Sequence, residues 1–382
     1  MDFNFTSEQK LLRDSIIKFA RGELNHEVIE RDRTQTFPRD LWRQCAAVGL
    51  LGLPAPDEYG GVGADPLSCA IALEALGYGC SDGGLVFSIC AHVLACVVPV
   101  WKHGSEAQKE RYLGGLCDGT LVGAHAITEP DSGSDTFAMR LRAERTGSGW
   151  RLNGSKTFIS NGPVADVVVV FAVTDPEKGF HGGVTAFLIE RGVAGFSAGQ
   201  KFAKMGLRTS PVGELVFEDV LLSDQAVLGS VGGGASVFGT AMDWERSLLV
   251  AAHVGTIERL LETSITYART RSQFGQTIGK FQAVAHKIAD MKVQLEAARL
   301  LVYRTASRLT VSRSISLDAA VTKLFVSETL VKTALDAVQL HGGYGFMEEY
   351  DVERALRDAI GSTLYSGTSE MQRNIIGRWL GL

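Results

Sequence analysis

The chain has no GxGxxG opening a βαβ unit and no GxxxxGK[ST]. Neither a Rossmann dinucleotide site nor a P-loop is encoded, so any nucleotide cofactor must be held another way. Its six cysteines, Cys45, Cys69, Cys80, Cys90, Cys96 and Cys117, lie in the first third without CxxC spacing or paired His ligands. They read as reduced core thiols of a cytoplasmic protein, with a catalytic cysteine as the minor alternative, and no metal site is expected. Long runs of Lys and Arg are also missing, and a formal net charge of -5 with a pI near 6.0 argues against a nucleic-acid surface. The N-terminal MDFNFTSEQK places acidic and polar residues where a signal peptide needs a basic start and an apolar block. The longest unbroken aliphatic run, Val167 to Val173, is strand-sized, so no membrane span is expected.

What is present is an ordinary soluble composition, 45% hydrophobic and 21% charged over 382 residues, long enough for two or three domains with a substantial core. The first part, residues 1–122, reads as helical. Thr6 followed by Gln9 resembles a capping box, and Leu11, Leu12, Ser15, Ile16 and Phe19 then recur at helical spacing. Further helices are predicted over Arg39 to Val48, Pro66 to Leu76, Leu85 to Trp101 and Ser105 to Leu116, with a Pro/Gly loop from Leu53 to Pro66. Residues 123–229 turn to short β-rich runs: Trp150 to Ser160, Asp166 to Val173, Thr185 to Glu190 and Glu214 to Leu221. A glycine cluster, Gly229 to Gly234, marks the next boundary, and helical periodicity fills residues 230–382. No internal repeat or low-complexity segment stands out.

Glu245 is out of place in this pattern, because its helical neighbours at three and four residues, Ala241, Met242, Leu248 and Leu249, are all apolar. An ionised carboxylate buried there is either neutralised by a structural partner or kept for proton transfer. Adjacent helical residues do not face each other, so Arg246 is no obvious rescuer and is better placed to meet Asp243.

Four segments in order, ITEPDSGSD (Ile127 to Asp135), NGSKTFISNG (Asn153 to Gly162), YARTRSQFGQTIGKFQAV (Tyr267 to Val284) and QLHGGYGFMEEYDVERALRDA (Gln339 to Ala359), resemble the acyl-CoA dehydrogenase family of flavoproteins over nearly the whole chain. The resemblance implies an α+β fold, mostly α, with an N-terminal helical domain, a middle β domain and a C-terminal helical bundle. It implies FAD between the β domain and the C-terminal helices. Thr128 would donate to the pyrimidine side of the ring, Phe158 would lie against it where many relatives carry Trp, and Ser160 would reach flavin N5. Ser134 would contact the FAD phosphates or the substrate's pantetheine arm. Arg271 and Phe274, with Gln339, Gly342 and Gly343, resemble residues that bind the ADP part of FAD across a subunit interface, and Thr368 and Glu370 hold further FAD positions. Asp243, Arg246 and Tyr365 join Ser134 as implied substrate contacts. Taken without the other motifs, Phe158 and Ser160 read equally as strand alternation, Arg271 as a solvated helix residue and Gly342 as a helix stop.

One departure matters. Many relatives place their catalytic Glu directly before a Gly-Thr pair near the C-terminus, but LYSGTSE puts Ser366 there. Isovaleryl-CoA and long-chain types instead supply the base from the helix after the β domain, immediately before an Arg, which is where Glu245 stands. The implied reaction is α,β-dehydrogenation of an acyl thioester, with Glu245 as base and the Ser366 backbone N–H on the thioester carbonyl. The segments GYGCSDGGLVF, MDWERS and LRDAIGSTLYSGTSEMQ resemble most the subgroup that oxidises prolyl or other acyl groups on carrier proteins in secondary-metabolite pathways. The alternatives are an ordinary short- or branched-chain acyl-CoA dehydrogenase, a flavin monooxygenase or oxidase on the same fold, and a catalytically dead binding protein. Implied partners are the thioester on a carrier protein or CoA, an electron acceptor such as an electron-transfer flavoprotein, and other copies of the chain in a homotetramer or homodimer.

Overall fold

Helix α1 (Ser7–Phe19) starts with the expected capping box: Thr6 Oγ1 accepts from the Gln9 N–H at 3.2 Å and Gln9 Oε1 from the Thr6 N–H at 3.1 Å. The structure, a computed structural model, describes residues 4–312 and 314–382. Only Ile16 of the predicted apolar stripe is buried and Leu11 is 70% exposed, so that stripe is narrower than its periodicity suggests. Short helices α2 (Val28–Thr34) and α3 (Arg39–Ala47) lead to α4 (Pro66–Gly79), capped by Asp65. α5 (Gly83–His92) runs through a π turn at Val93–Val97 into α6 (Val98–His103), and α7 (Glu106–Cys117) follows.

The stretch Gly83–His103 corrects one sequence expectation. By length and composition it could cross a membrane, with a hydropathy of 2.1, yet 89% of that window is buried inside the protein. A helix apolar all round is a core helix when other elements cover it, and counting only unbroken aliphatic residues overlooked it.

The middle of the chain forms a mixed sheet. Its strands are β1 (Gly123–Ala126), β2 (Arg142–Thr146), β3 (Gly149–Ser160) and β4 (Val167–Val173), then after the single turn α8 (Phe180–Gly183), β5 (Val184–Glu190), β6 (Phe196–Lys201), β7 (Val212–Leu222) and β8 (Val227–Leu228). Strand order is β6-β7-β3-β2-β4-β5-β8, with β1 parallel to β4. The four predicted strands are present as β3, β4, β5 and β7; β1, β2, β6 and β8 were not foreseen. β6 shows why, since it has no buried residue and hence no apolar alternation to read.

Helix α9 (Gly234–Thr270) is the axis of the remainder. After the hairpin of β9 (Ser272–Gln273) and β10 (Gln276–Thr277) come α10 (Gln282–Arg308), α11 (Ser316–His341), α12 (Val352–Gly361) and α13 (Ser369–Trp379). α4 crosses α9 at backbone contact distance: a Cβ on Gly77 would sit 2.0 Å from the Ala252 carbonyl oxygen, and one on Gly255 equally close to that of Glu74. One core joins α4 and α5 from the start of the chain to α9, α10 and α11 from its end. Wrapped in this way, α9 buries residues on every side, Glu245 among them.

Candidate active site

Glu245 is 8% exposed, and its carboxylate accepts a hydrogen bond from Ser366 Oγ at 2.6 Å. Burial lifts its pKa above the usual carboxylate range, while the Ser366 hydroxyl, Arg246 and Lys323 pull it back. Ser366 ends the turn after α12 in the left-handed region, φ 57°, followed by Gly367 at φ 88°. A non-glycine residue is held there only by its surroundings. Here the Ser366 carbonyl accepts from Arg246 Nε at 2.9 Å and Gln372 Nε2 at 3.2 Å, and the Gly367 carbonyl from Lys323 Nζ at 2.8 Å and Gln372 Nε2 at 2.9 Å. Among the described residues the Ser366 N–H has no acceptor. A buried carboxylate and a free amide thus belong to one point, which suits removing a proton beside a carbonyl that the amide polarises.

Neighbouring expectations need correction. No Arg246–Asp243 ion pair forms, because Arg246 is drawn to the Ser366 carbonyl; half-buried Asp243 has its pKa raised by burial despite Arg246 nearby. Tyr365 hydrogen-bonds His253 Nε2 at 2.8 Å and packs on Phe87 at 4.5 Å between ring centroids; burial lowers the His253 pKa to about 3, so the ring is neutral.

A second group lies at the end of β3. Its pairing with β7 is interrupted between Lys156 and Ile159, and there Phe158 takes φ 56° and stands 65% exposed. Ser160 is half-buried opposite Val212, and the Thr157 N–H donates to the Thr128 carbonyl at 2.9 Å, docking the 127–135 loop on the strand. Ser134 is exposed on that loop. α5 connects both groups: Phe87 touches Tyr365, while the next carbonyl, that of Ser88, accepts from Asn161 Nδ2 at 3.0 Å.

The ADP-binding candidates are elsewhere. Arg271, Gly342 and Gly343 line one open cleft of about 550 Å³ with Tyr267, His341 and Tyr344. Gly342 has φ 59° and open space where a Cβ would stand, so backbone is offered to a ligand there. Phe274, 93% exposed at the hairpin tip, and exposed Gln339 flank the cleft without lining it. Thr368 N-caps α13, accepting from the Met371 N–H at 3.3 Å, and Glu370 is exposed on its first turn. Glu245 and Arg271 are 26 residues apart along α9, roughly 39 Å at 1.5 Å per residue.

Sequence reasoning missed several supporting residues. Lys156, fully buried, pairs with Glu129 at 2.8 Å, and Glu129 also accepts from the N–H groups of Arg140 and Leu141. Lys323 lies among Ala319, Ala320, Val326 and Ser327, all buried; with three of the four apolar, the neighbour test that singles out Glu245 gives a weaker signal there. Gln372 carried no such signal.

An exposed aromatic ring beside a docked hydroxyl-bearing loop, and a glycine cleft beside an arginine, fit a flavin and a phosphate-bearing arm respectively. Comparison with known proteins agrees. Family profiles match for the acyl-CoA dehydrogenase N-terminal domain over residues 6–120, the middle domain over 124–220 and the C-terminal domain over 232–381. The chain is 41% identical to an L-prolyl-[peptidyl-carrier protein] dehydrogenase of Serratia sp., covering 100% of this chain and 99% of the other. It is 40% identical to a short-chain specific acyl-CoA dehydrogenase of Clostridium acetobutylicum, covering 98% of each. Among solved structures, PigA with FAD and proline matches at TM-score 0.97 and 40% identity over 100% of both chains.

Proposed function

The chain belongs to the acyl-CoA dehydrogenase family, and from that premise we propose that it removes the α and β hydrogens of an acyl or aminoacyl group, such as prolyl, held as a thioester on a carrier protein. The observation that carries the chemistry is the buried Glu245 carboxylate bonded to Ser366 beside an amide with no acceptor among the described residues. FAD, when bound, accepts the β hydrogen as hydride. Glu245 takes the α proton, its ionised form made a stronger base by burial. The Ser366 N–H stabilises the negative charge that builds on the thioester oxygen. Thr128, Phe158 and Ser160 would hold the isoalloxazine, with Ser134, Asp243 and Tyr365 toward the substrate arm.

The distance along α9 supports a further reading. One extended FAD does not reach from Glu245 to the Arg271–Gly342–Gly343 cleft of the same chain, so that cleft would serve a neighbouring subunit, in a homodimer or homotetramer. Phe274, Gln339, Thr368 and Glu370 would lie along the same shared interface. Six free buried thiols suit a reducing compartment, and we assign the protein to the cytoplasm.

Anaerobic mixing of the FAD-bound protein with thioesters tests the reading. Prolyl and small acyl groups on a phosphopantetheinylated carrier should bleach the flavin faster than the same groups on CoA, because remote contacts to the carrier raise the rate of chemistry. Equal or faster bleaching by CoA thioesters would return the chain to ordinary acyl-CoA oxidation, the activity named for the Clostridium relative. Reoxidation of the bleached enzyme by an electron-transfer flavoprotein or by oxygen then identifies the acceptor.

A further inference from the structure

We propose that Lys323 is a positioning residue for this reaction: with Arg246 and Gln372 it clamps the Ser366–Gly367 turn so that the Ser366 hydroxyl meets Glu245 and the Ser366 N–H is left for substrate. The inference rests on the dehydrogenase reading above. Lys323 is 1% exposed, and a buried ammonium is costly unless its donors are used. Its hydrogen-bond acceptor is the Gly367 carbonyl, at 2.8 Å, and among the described residues no carboxylate lies within ion-pair distance. A lysine needed only to fasten α11 to α13 could do so at the protein surface, as Arg373 and Glu328 already do.

The geometry of the turn explains what the clamp secures. Ser366 and Gly367 both have positive φ, a region that an unsupported serine would leave. Arg246 and Gln372 fix the Ser366 carbonyl, Lys323 and Gln372 fix the next one, and the Glu245 carboxylate fixes the side chain. The Ser366 amide is what remains. Lys323 and Arg246 also bring positive charge to where an enolate-like oxygen would develop and where Glu245 must stay ionised.

Glu245 feels the charge of Arg246 beside it on α9 and of Lys323 on α11, with Cys90 on α5 and Tyr365 and Ser366 on the turn around it, while Asp243 on α9 acts on Arg246. Lys323 is itself faced by Arg246, Glu245, His253, Glu328 and Glu370, and burial lowers its pKa to about 8. Removing its charge therefore takes a stabilising cation from Glu245 and leaves the acids in place.

The test compares Lys323→Met, Lys323→Gln and wild type by single-turnover flavin reduction at saturating thioester from pH 6 to 9, alongside FAD content and thermal melting. Both variants should retain FAD and reduce it at least tenfold more slowly with little change in the half-saturating thioester concentration. In both, the acid limb of the rate profile should move to higher pH. Lys323→Gln, which still offers Gly367 an N–H, should recover part of the rate but not the pH shift. If either variant that folds and binds FAD keeps the wild-type rate and profile, or loses rate without moving the limb, the proposal is overturned. A wild-type enzyme that no thioester reduces would overturn the dehydrogenase reading instead.

Discussion

The Glu245 carboxylate, the proposed base, and the Ser366 hydroxyl share one hydrogen bond, and substitution separates their proposed roles. Glu245→Gln keeps shape and a hydrogen-bonding oxygen but cannot accept a proton at neutral pH. Substrate-dependent flavin reduction should fall by at least about a hundredfold with FAD retained, and unchanged bleaching would make the carboxylate structural. Ser366→Ala removes only the O–H that favours ionised Glu245. Activity needs that ionised form, so the rate rises with pH through the Glu245 pKa. Without the hydroxyl the pKa climbs further, and the variant should lag wild type at low pH and approach it at high pH. A profile that does not move would separate Ser366 from the base. Glu245 was legible in sequence because a lone carboxylate among Ala241, Met242, Leu248 and Leu249 violates helical patterning. Its bond to Ser366 was not, since the two are 121 positions apart in the chain and only packing brings them together.

Among elements, the 127–135 loop and β3 are joined by one buried ion pair. Lys156→Met leaves Glu129 charged and unpaired at 6% exposure, which should cost about 3–5 kcal/mol in urea unfolding and reduce FAD retention. Adding Glu129→Gln should restore part of the stability, because it removes the unpaired buried charge while the amide oxygen keeps one of the two N–H bonds that the carboxylate oxygens accept from Arg140 and Leu141. If Lys156→Met melts with wild type, the pair does not organise the flavin wall. β3 itself was legible as Trp150 to Ser160. The interruption that turns Phe158 outward was not, because a bulge is set by register with β7, which begins 52 positions after β3 ends.

In the whole molecule, the separation of Glu245 from the glycine cleft is what supports the proposal that the active unit is larger than one chain. Mixed oligomers test this directly. Arg271→Glu should lower FAD retention and Glu245→Gln should abolish chemistry, yet co-refolded mixtures should regain activity. In a mixed pair, one site would combine an intact Glu245 with an intact Arg271 from the other subunit. Activity no higher than the sum of the separate variants, or an active FAD-bound monomer on sizing chromatography, would place the whole site within one chain.

The order of helices, sheet and helices, the main strands and α9 as the bearer of an anomalous acid follow from local patterning, because apolar period and turn residues act within one element. Family motifs added the cofactor and its candidate contacts. What only the tertiary structure decided is the state of the polar groups: Arg246 on a carbonyl rather than on Asp243, Lys323 and Gln372 on the turn, Lys156 on Glu129. Apart from the Gln372 bond, which spans five positions, these pairings join residues at least 27 positions apart in the chain. Burial makes an unmet donor or charge costly, and which partner meets it depends on distances that exist only once α9, α11 and the Ser366 turn are packed.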